Sequence, residues 1–176
     1  MDRPDRRSCV EPETLNKVMW SIPNVLCLLG SRSGDEWNGM TLSWVTQVSM
    51  EPVLIAIAVD NSAVTHRLIT ESQVFTINLW DREDTRPFVK FSKPATYESG
   101  DLNGQPVREG TTGAPIFENA IAYAECRVWG SADVGTHTVF YGEVVAADFQ
   151  GNGEEAAVAR MEDTRMKYGG VKRGGH

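Results

Sequence analysis

The chain has 176 residues, of which 41% are apolar and 23% are charged, and its net charge is −7. This length and composition predict one globular domain that buries about 70% of its unfolded surface. The negative charge argues against binding to nucleic acid or to an anionic membrane, which both require a basic surface.

The ends of the chain and its cysteines indicate where the protein works. Residues 1–16 begin with charged residues and lack the apolar core of a signal peptide, so we expect a flexible arm, and residues 171–176 are expected to form a flexible tail. No apolar run approaches the ~20 residues of a transmembrane helix. Three widely spaced cysteines without a CxxC pair argue against a disulfide framework or a zinc site and favour a reducing cytoplasm.

The first predicted elements are a short helix and a buried strand. Residues 12–20 are expected to be helical, with Thr14 as a possible cap. Residues 24–30 are apolar and predict a buried strand. The polar stretch 31–39, which contains Gly34, predicts a turn.

Residues 37–52 are the stretch around which the rest of the chain is organised. Asn38-Gly39 is a hairpin signal, because both residue types tolerate a positive φ angle. The following residues alternate, with one face bearing Met40, Leu42, Trp44 and Val48 and the other bearing Thr41, Ser43, Gln47 and Ser49. Such a strand suits a flat ligand whose edge requires hydrogen bonds, and an ordinary half-solvated strand remains the alternative.

A fully apolar strand and a helix follow. Val53–Val59 is apolar on both faces, which predicts burial on both sides or packing against a partner. Asn61 or Ser62 is expected to cap the next helix and to place Thr65 near its first turn. Free N–H groups there attract anions, although capping alone also explains these residue types.

The second half of the chain predicts further strands around one long segment. Residues 74–79, 120–129 and 137–149 are expected to be strands, and residues 84–91 a helix. The Gly/Pro-rich residues 93–120 predict a long loop that carries function or wraps a partner subunit. Lys93 at its start is either a phosphate ligand or merely solvated, and Glu125 is expected at an exposed or edge position. These elements favour a small antiparallel barrel.

Common catalytic motifs are absent from the sequence. It contains neither a GxGxxG fingerprint nor a GxxxxGK[ST] loop, and its three histidines lack metal-ligand spacing. A protein with so few acid–base groups either binds without reacting or uses the chemistry of a cofactor.

An ordered set of segments resembles a known family. The segments are Asn38–Thr41, Ser49–Pro52, Asn61–Thr65, Phe75–Asn78, Phe91–Lys93 and Gly135–Val144. In this order they resemble the flavin reductase family of the FMN-binding split barrel, over residues 17–170. The resemblance implies a mainly β, six-stranded antiparallel split β-barrel of Greek-key type with a few short helices. It also implies a homodimer that holds FMN and accepts electrons from NAD(P)H.

The resemblance and the hydrogen-bonding chemistry of the residues together predict a set of cofactor-binding residues. They are Asn38, Gly39, Met40, Thr41, Ser43, Trp44, Val45, Thr46, Gln47, Ser49, Asn61, Ser62, Thr65, His66, Lys93, His137 and Tyr168. In flavoredoxin-like members, the flavin is bound by residues that match Asn38, Trp44 and Thr65. A lysine, a histidine and an aromatic residue of these members match Lys93, His137 and Tyr168. The alternation predicts Trp44 opposite Thr41 and Ser43, so side chains of both faces reach one ligand only if a bulge intervenes.

Three functions stay open at this point. The first is an NAD(P)H-dependent flavin reductase that passes electrons to free flavin or to another acceptor. The second is a flavoredoxin-like carrier with tightly bound FMN and a protein redox partner. The third is a split-barrel protein with a ligand other than flavin. Many relatives have Gly-Asp-His where this chain has Gly135-Thr136-His137, which favours weak nicotinamide turnover, and Tyr168 matches by position and aromatic character alone.

Overall fold

A computed structural model describes residues 11–164, which form three α-helices and eleven strands. The helices are α1 (Pro12–Trp20), α2 (Val64–Ser72) and α3 (Arg86–Lys90), and a 3-10 turn covers Met161–Asp163. The strands are β1 (Cys27–Ser33), β2 (Glu36–Leu42), β3 (Val45–Met50), β4 (Val53–Asp60), β5 (Val74–Leu79), β6 (Tyr97–Glu98), β7 (Asp101–Leu102), β8 (Gln105–Glu109), β9 (Pro115–Phe117), β10 (Ala122–Asp133) and β11 (His137–Phe149).

The main sheet has seven antiparallel strands in the order β2-β1-β5-β10-β11-β4-β3. Its two edge strands, β2 and β3, are consecutive in the chain and are separated only by Ser43 and Trp44. Two residues span at most about 10 Å between the flanking ends. The sheet therefore curls until its edges approach each other at this connection.

The mainly β architecture with a few short helices is confirmed. The predicted six-stranded split barrel is not, because the curled sheet contains seven strands and is not closed. The additional strand arises because residues 37–52 form two strands on opposite edges of the sheet, β2 and β3, instead of one.

The first hairpin lies elsewhere than predicted. Ser33 pairs with Glu36 across a two-residue loop in which Gly34 has a φ of +55°. A positive φ at this loop position is typical of tight hairpins. Asn38 and Gly39 lie within β2, opposite Ser31 and Gly30 of β1, so the expected turn at Asn38-Gly39 is wrong.

Gly39 is constrained by packing and not by a turn. A Cβ atom built there would lie 2.8 Å from the rings of Phe91 and Phe117. Only a residue without a side chain lets both rings pack directly on β2. The glycine that suggests a turn in the sequence therefore marks a close approach between core and strand.

The first half of β1 is apolar on both faces because it separates two cores. Leu28 packs in a cluster with Phe91 and Phe117, and Leu29 packs in a second cluster with Phe75. The strand predicted over residues 24–30 is confirmed in its burial and begins three residues later. Helix α1 is confirmed, but it starts at Pro12 after Glu11 and has no side-chain cap, so Thr14 is not its cap.

The segment predicted as a long loop folds into a second sheet, in the order β6-β7-β8-β9. Its turns use positive φ angles, including +94° at Gly100 and +50° at Asn103. Buried Asn78 of β5 accepts the N–H of Phe117 at 3.0 Å, which fixes β9 to the main sheet.

Glu125 anchors the same segment from β10. It is 2% exposed, and its carboxylate accepts the N–H groups of Thr111 at 3.0 Å and Thr112 at 2.7 Å. The expectation of an exposed Glu125 is therefore wrong. A buried carboxylate requires such donors, because an unpaired charge in the interior is strongly unfavourable.

Candidate functional site

A cavity of about 250 Å³ lies between β2, the start of α2 and the segment that follows α3. Six predicted site residues line it: Asn38, Gly39, Met40, Ser62, Thr65 and Lys93. These residues come from three separate parts of the chain. The fold therefore brings together the core of the predicted site.

The start of α2 presents its backbone to this cavity. The N-cap position is Ala63, and no side chain caps the helix. The N–H groups of the first turn have no partner within a helix, and the helix dipole adds positive potential. Val64 and Thr65 of this turn line the cavity. This end of α2 is suited to an anion.

Neither predicted cap residue performs that role. The hydroxyl and the N–H of Ser62 both donate to Oδ1 of Asp60, at 2.7 and 2.8 Å. These two bonds, the hydroxyl bond first, lower the pKa of the Asp60 carboxyl, with smaller contributions from His137 and His66. The expectation that Asn61 or Ser62 caps α2 is wrong, because the helix begins at Val64 and Ala63 occupies the N-cap position.

Asn38 and Thr65 form the buried wall of the cavity, with 3% and 0% of their surfaces exposed. Nδ2 of Asn38 donates to the Thr65 hydroxyl at 2.7 Å, and its Oδ1 accepts the N–H of Ala95 at 2.7 Å. The carboxamide is thus occupied by the protein on both sides. Lys93, which is exposed, adds positive charge at the same cavity.

A second group of predicted residues lies at the carboxyl end of β4. The rings of Trp44 and His137 are 4.8 Å apart, with an angle of 48° between their planes. Trp44 accepts a backbone bond from Ala58 of β4, and His137 pairs with Asp60. The break between β2 and β3 at Ser43 and Trp44 removes the strict alternation that separated Trp44 from Thr41 in the prediction.

His66 and Asn61 belong to a polar cluster beside the cavity. Nε2 of His66 lies 2.9 Å from the hydroxyl of Thr138, which also lies 3.0 Å from Oδ1 of Asn61 and 2.9 Å from Oδ1 of Asp133. The His66 ring also contacts Phe140. Neither His66 nor Asn61 lines the cavity, and both side chains contact Thr138 of β11 beside it.

The remaining predicted residues lie apart from the cavity. Thr41 donates its hydroxyl to the carbonyl of Phe88 at 2.7 Å and holds α3. Val45, Thr46 and Gln47 line an apolar groove of about 540 Å³ on the sheet, together with Val53, Ile55, Ile77, Leu79, Tyr123 and Phe149. Ser43 and Ser49 are half-buried outside both cavities, and Tyr168 lies outside the described residues.

Strand β4 contributes to that groove. Leu54, Ile57 and Val59 are buried, whereas Val53 is 43% exposed and Ile55 is half-buried in the groove. The expectation that Val53–Val59 is buried on both faces within one chain is therefore wrong. The alternative expectation, an apolar strand that packs against a partner, remains open.

The structure adds residues that were not predicted as site residues. Phe91, Ser92 and Pro94 line the cavity beside Lys93, and Asp60 organises its rim. Nothing in local periodicity marks them, because they become neighbours only when the segment after α3 folds against β2. Among residues 11–164, no cluster of three potential metal ligands occurs and no helix is long and apolar enough to cross a membrane.

Comparison with known proteins identifies the family. The sequence profile of the flavin reductase like domain matches residues 19–170. The chain belongs to the flavin reductase family. An NADH-dependent FAD reductase of Streptomyces globisporus is 32% identical over 136 residues, which cover 76% of this chain and 74% of the relative. A ferric-chelate reductase (NAD(P)H) of Archaeoglobus fulgidus is 31% identical, with 75% and 79% of the two chains covered.

Solved structures agree on the fold. The NADH:FAD oxidoreductase SgcE6 of Streptomyces globisporus C-1027 superposes with a TM-score of 0.75 at 24% identity and covers 92% of this chain and 96% of its own. Some family relatives are much longer, since the chain spans 23% of a putative diflavin flavoprotein of Nostoc sp..

Proposed function

We propose that the protein binds FMN and is an NAD(P)H-dependent flavin reductase that passes electrons to free flavin or to another acceptor. The observation that carries this proposal is the cavity at the start of α2, where Thr65, Lys93 and uncapped backbone N–H groups converge. A phosphate monoester is a dianion that accepts several hydrogen bonds, and this set of donors complements it.

The residues present fit the phosphate-bearing end of FMN. The volume of about 250 Å³ is below the roughly 300–1,000 Å³ of complete small-molecule sites. The cavity therefore suits one end of the cofactor, and we assign the remainder to the Trp44–His137 pair. Asn38 and Gly39 form the wall that supports this end.

Bound FMN would supply the redox chemistry, and the chain would bind, orient and shield it. Among the described residues we assign no side chain as a general acid or base. His137 is the residue that we assign to seating the nicotinamide, because its ring packs on Trp44 at the end of β4. Both named relatives are reductases that use NADH or NAD(P)H, which supports the same donor here.

A homodimer completes this proposal. Val53 and Phe149 line the apolar groove and are 43% and 56% exposed. Such a patch on a globular protein marks an interaction surface, and a second copy of the chain is the partner that the family resemblance implies. Two buried free thiols, Cys27 and Cys126, fit the reducing cytoplasm in which we place the protein.

The visible spectrum of the purified protein, before and after NADH or NADPH under anaerobic conditions, tests the function. A yellow protein that loses its colour within seconds supports the reductase. Colour that persists for minutes favours the carrier with a protein redox partner. The observation that favours this second function is Thr136, whose hydroxyl lies 2.8 Å from Nδ1 of His137 where many relatives have an aspartate. A colourless protein that does not take up FMN would refute both.

A further inference from the structure

The buried Asn38 carboxamide joins two walls of the cavity, and its orientation is fixed. The N–H of Ala95 can only donate, so the atom facing it at 2.7 Å must be Oδ1 of Asn38. The other atom of the carboxamide, Nδ2, then faces the Thr65 hydroxyl at 2.7 Å. Because Nδ2 carries hydrogens and no lone pair, it donates and the hydroxyl oxygen accepts.

This direction determines what Thr65 can offer to a ligand. A threonine hydroxyl has one hydrogen and two lone pairs, and Asn38 occupies a lone pair. The hydrogen remains, and the structure gives it no acceptor among the described residues. Thr65 is fully buried and lines the cavity. Its hydroxyl is therefore set as a donor toward whatever the cavity binds.

We infer that Asn38 is a positioning residue that makes Thr65 a hydrogen-bond donor to the phosphate of the cofactor. Selectivity for a phosphorylated flavin would then depend on Asn38 acting through Thr65. Phosphate oxygens accept hydrogen bonds, so a hydroxyl that is free to donate suits them and one whose hydrogen is engaged does not. This inference rests on the proposed function, in which the cavity holds the phosphate of FMN.

The substitution Asn38→Asp tests the direction of the bond with little change of shape. An ionised aspartate still accepts the N–H of Ala95 but has no hydrogen to donate. Thr65 must then turn its own hydrogen toward residue 38 and present lone pairs to the cavity. We expect the affinity for FMN to fall about tenfold or more, the effect of losing a hydrogen bond to a charged group. The affinity for riboflavin, which lacks the phosphate, should change less than about threefold.

Direct repulsion between the new carboxylate and the phosphate could also weaken FMN binding. To separate this effect from the effect through Thr65, the same substitution is made in a variant that lacks the Thr65 hydroxyl. In a Thr65→Val background, Asn38→Asp should weaken FMN binding by less than about threefold, because the group through which it acts is gone. Equal losses in both backgrounds would show direct repulsion and overturn the inference. An undiminished FMN affinity in the single variant would overturn it as well.

Asn103 provides the matched control. Its Oδ1 accepts the N–H of Thr96 at 3.0 Å and its Nδ2 donates to the carbonyl of Lys90 at 3.1 Å, next to the cavity-lining segment but away from the cavity. Asn103→Asp should leave the ratio of FMN to riboflavin affinity unchanged.

The readout is flavin titration of the flavin-free protein. A parallel loss of both affinities in Asn38→Asp would indicate a structural role and contradict the inference. A wild type that binds riboflavin as tightly as FMN would instead refute the phosphate assignment itself.

Discussion

The imidazole of His137 packs on the indole of Trp44, with 4.8 Å between the ring centroids. His137 opens β11 opposite Asp60, and its Nδ1 lies 2.8 Å from the Thr136 hydroxyl. If this ring helps to seat the nicotinamide, His137→Ala should lower kcat/KM for NAD(P)H by about tenfold or more, ~1.4 kcal/mol, while FMN stays bound. Steady-state kinetics and the flavin content of the variant measure the two effects. A variant with unchanged kcat/KM and weaker FMN binding would place His137 in cofactor binding only.

The contribution of charge at the cavity beside the start of α2 can be tested through two lysines. Lys93 lines the cavity, whereas Lys90 lies at the end of α3, is also exposed and does not line it. Lys93→Ala should weaken FMN binding by about fivefold or more. Because Lys93 is exposed, solvent screening makes this loss smaller than the loss of a buried charge would be. Lys90→Ala serves as the control and should change FMN affinity little. The dependence of FMN affinity on salt should also become shallower in Lys93→Ala only.

The sequence predicted an element correctly where its residue types favour only one local structure. Leu28 and Leu29 point to opposite sides of β1 and pack in separate cores, so the apolar run predicted a buried strand. The helices near residues 12–20 and 84–91 were also predictable, because proline favours the first turn of a helix and occurs there in both.

The predictions were wrong for residue types that occur in more than one structural setting. Asn38-Gly39 is a dipeptide typical of turns. Gly39 is instead required by its close packing against the rings of Phe91 and Phe117. Asn38 is required by its hydrogen bonds with Thr65 and Ala95. Glutamate is typical of protein surfaces, yet the carboxylate of Glu125 accepts hydrogen bonds from backbone N–H groups of a loop that is distant in the chain. Both outcomes depend on contacts between residues that are remote in the chain, which periodicity cannot reveal.

The packing at Gly39 leads to a stability prediction. Gly39→Ala places a Cβ atom 2.8 Å from two buried rings, so we expect a loss of about 1–3 kcal/mol in the free energy of unfolding. Gly130→Ala is the control, because nothing lies within 4 Å of a Cβ built there. That change should be neutral or raise stability by up to about 1 kcal/mol. Urea denaturation measures both, and equal effects would contradict the packing explanation.

Two buried thiols should be inert in the folded protein. Burial raises the pKa of Cys27 and of Cys126 to about 12. At pH 8 both therefore remain protonated, and the thiolate that reacts with alkylating reagents is scarce. Alkylation followed by mass spectrometry should leave both cysteines unmodified in the folded protein and should label them in urea. Because an unfolded thiol ionises near pH 9, stability should also decrease above that pH. Rapid labelling of either cysteine without urea would contradict this prediction.

The apolar groove should be the contact surface of a homodimer. Val45, Val53 and Phe149 line it, and Phe149 is 56% exposed in the single chain. An obligate dimer interface of this kind typically buries roughly 2,000 Å² or more. We therefore expect the wild type to sediment as a dimer at micromolar concentration, since isolating such a surface in water is unfavourable.

Two matched aspartate substitutions locate the interface. Val53→Asp puts a charge in the groove, and burying an unpaired carboxylate is strongly unfavourable, so the variant should sediment as a monomer or fail to assemble. Val89→Asp places the same charge on α3, where Val89 is 63% exposed and outside the groove, and should leave the dimer intact. Far-UV circular dichroism establishes that both variants are folded. If FMN binding is lost with the dimer in Val53→Asp but kept in Val89→Asp, a second copy of the chain contributes to the site. A wild type that stays monomeric with FMN bound would exclude the dimer, and the groove would then need another partner.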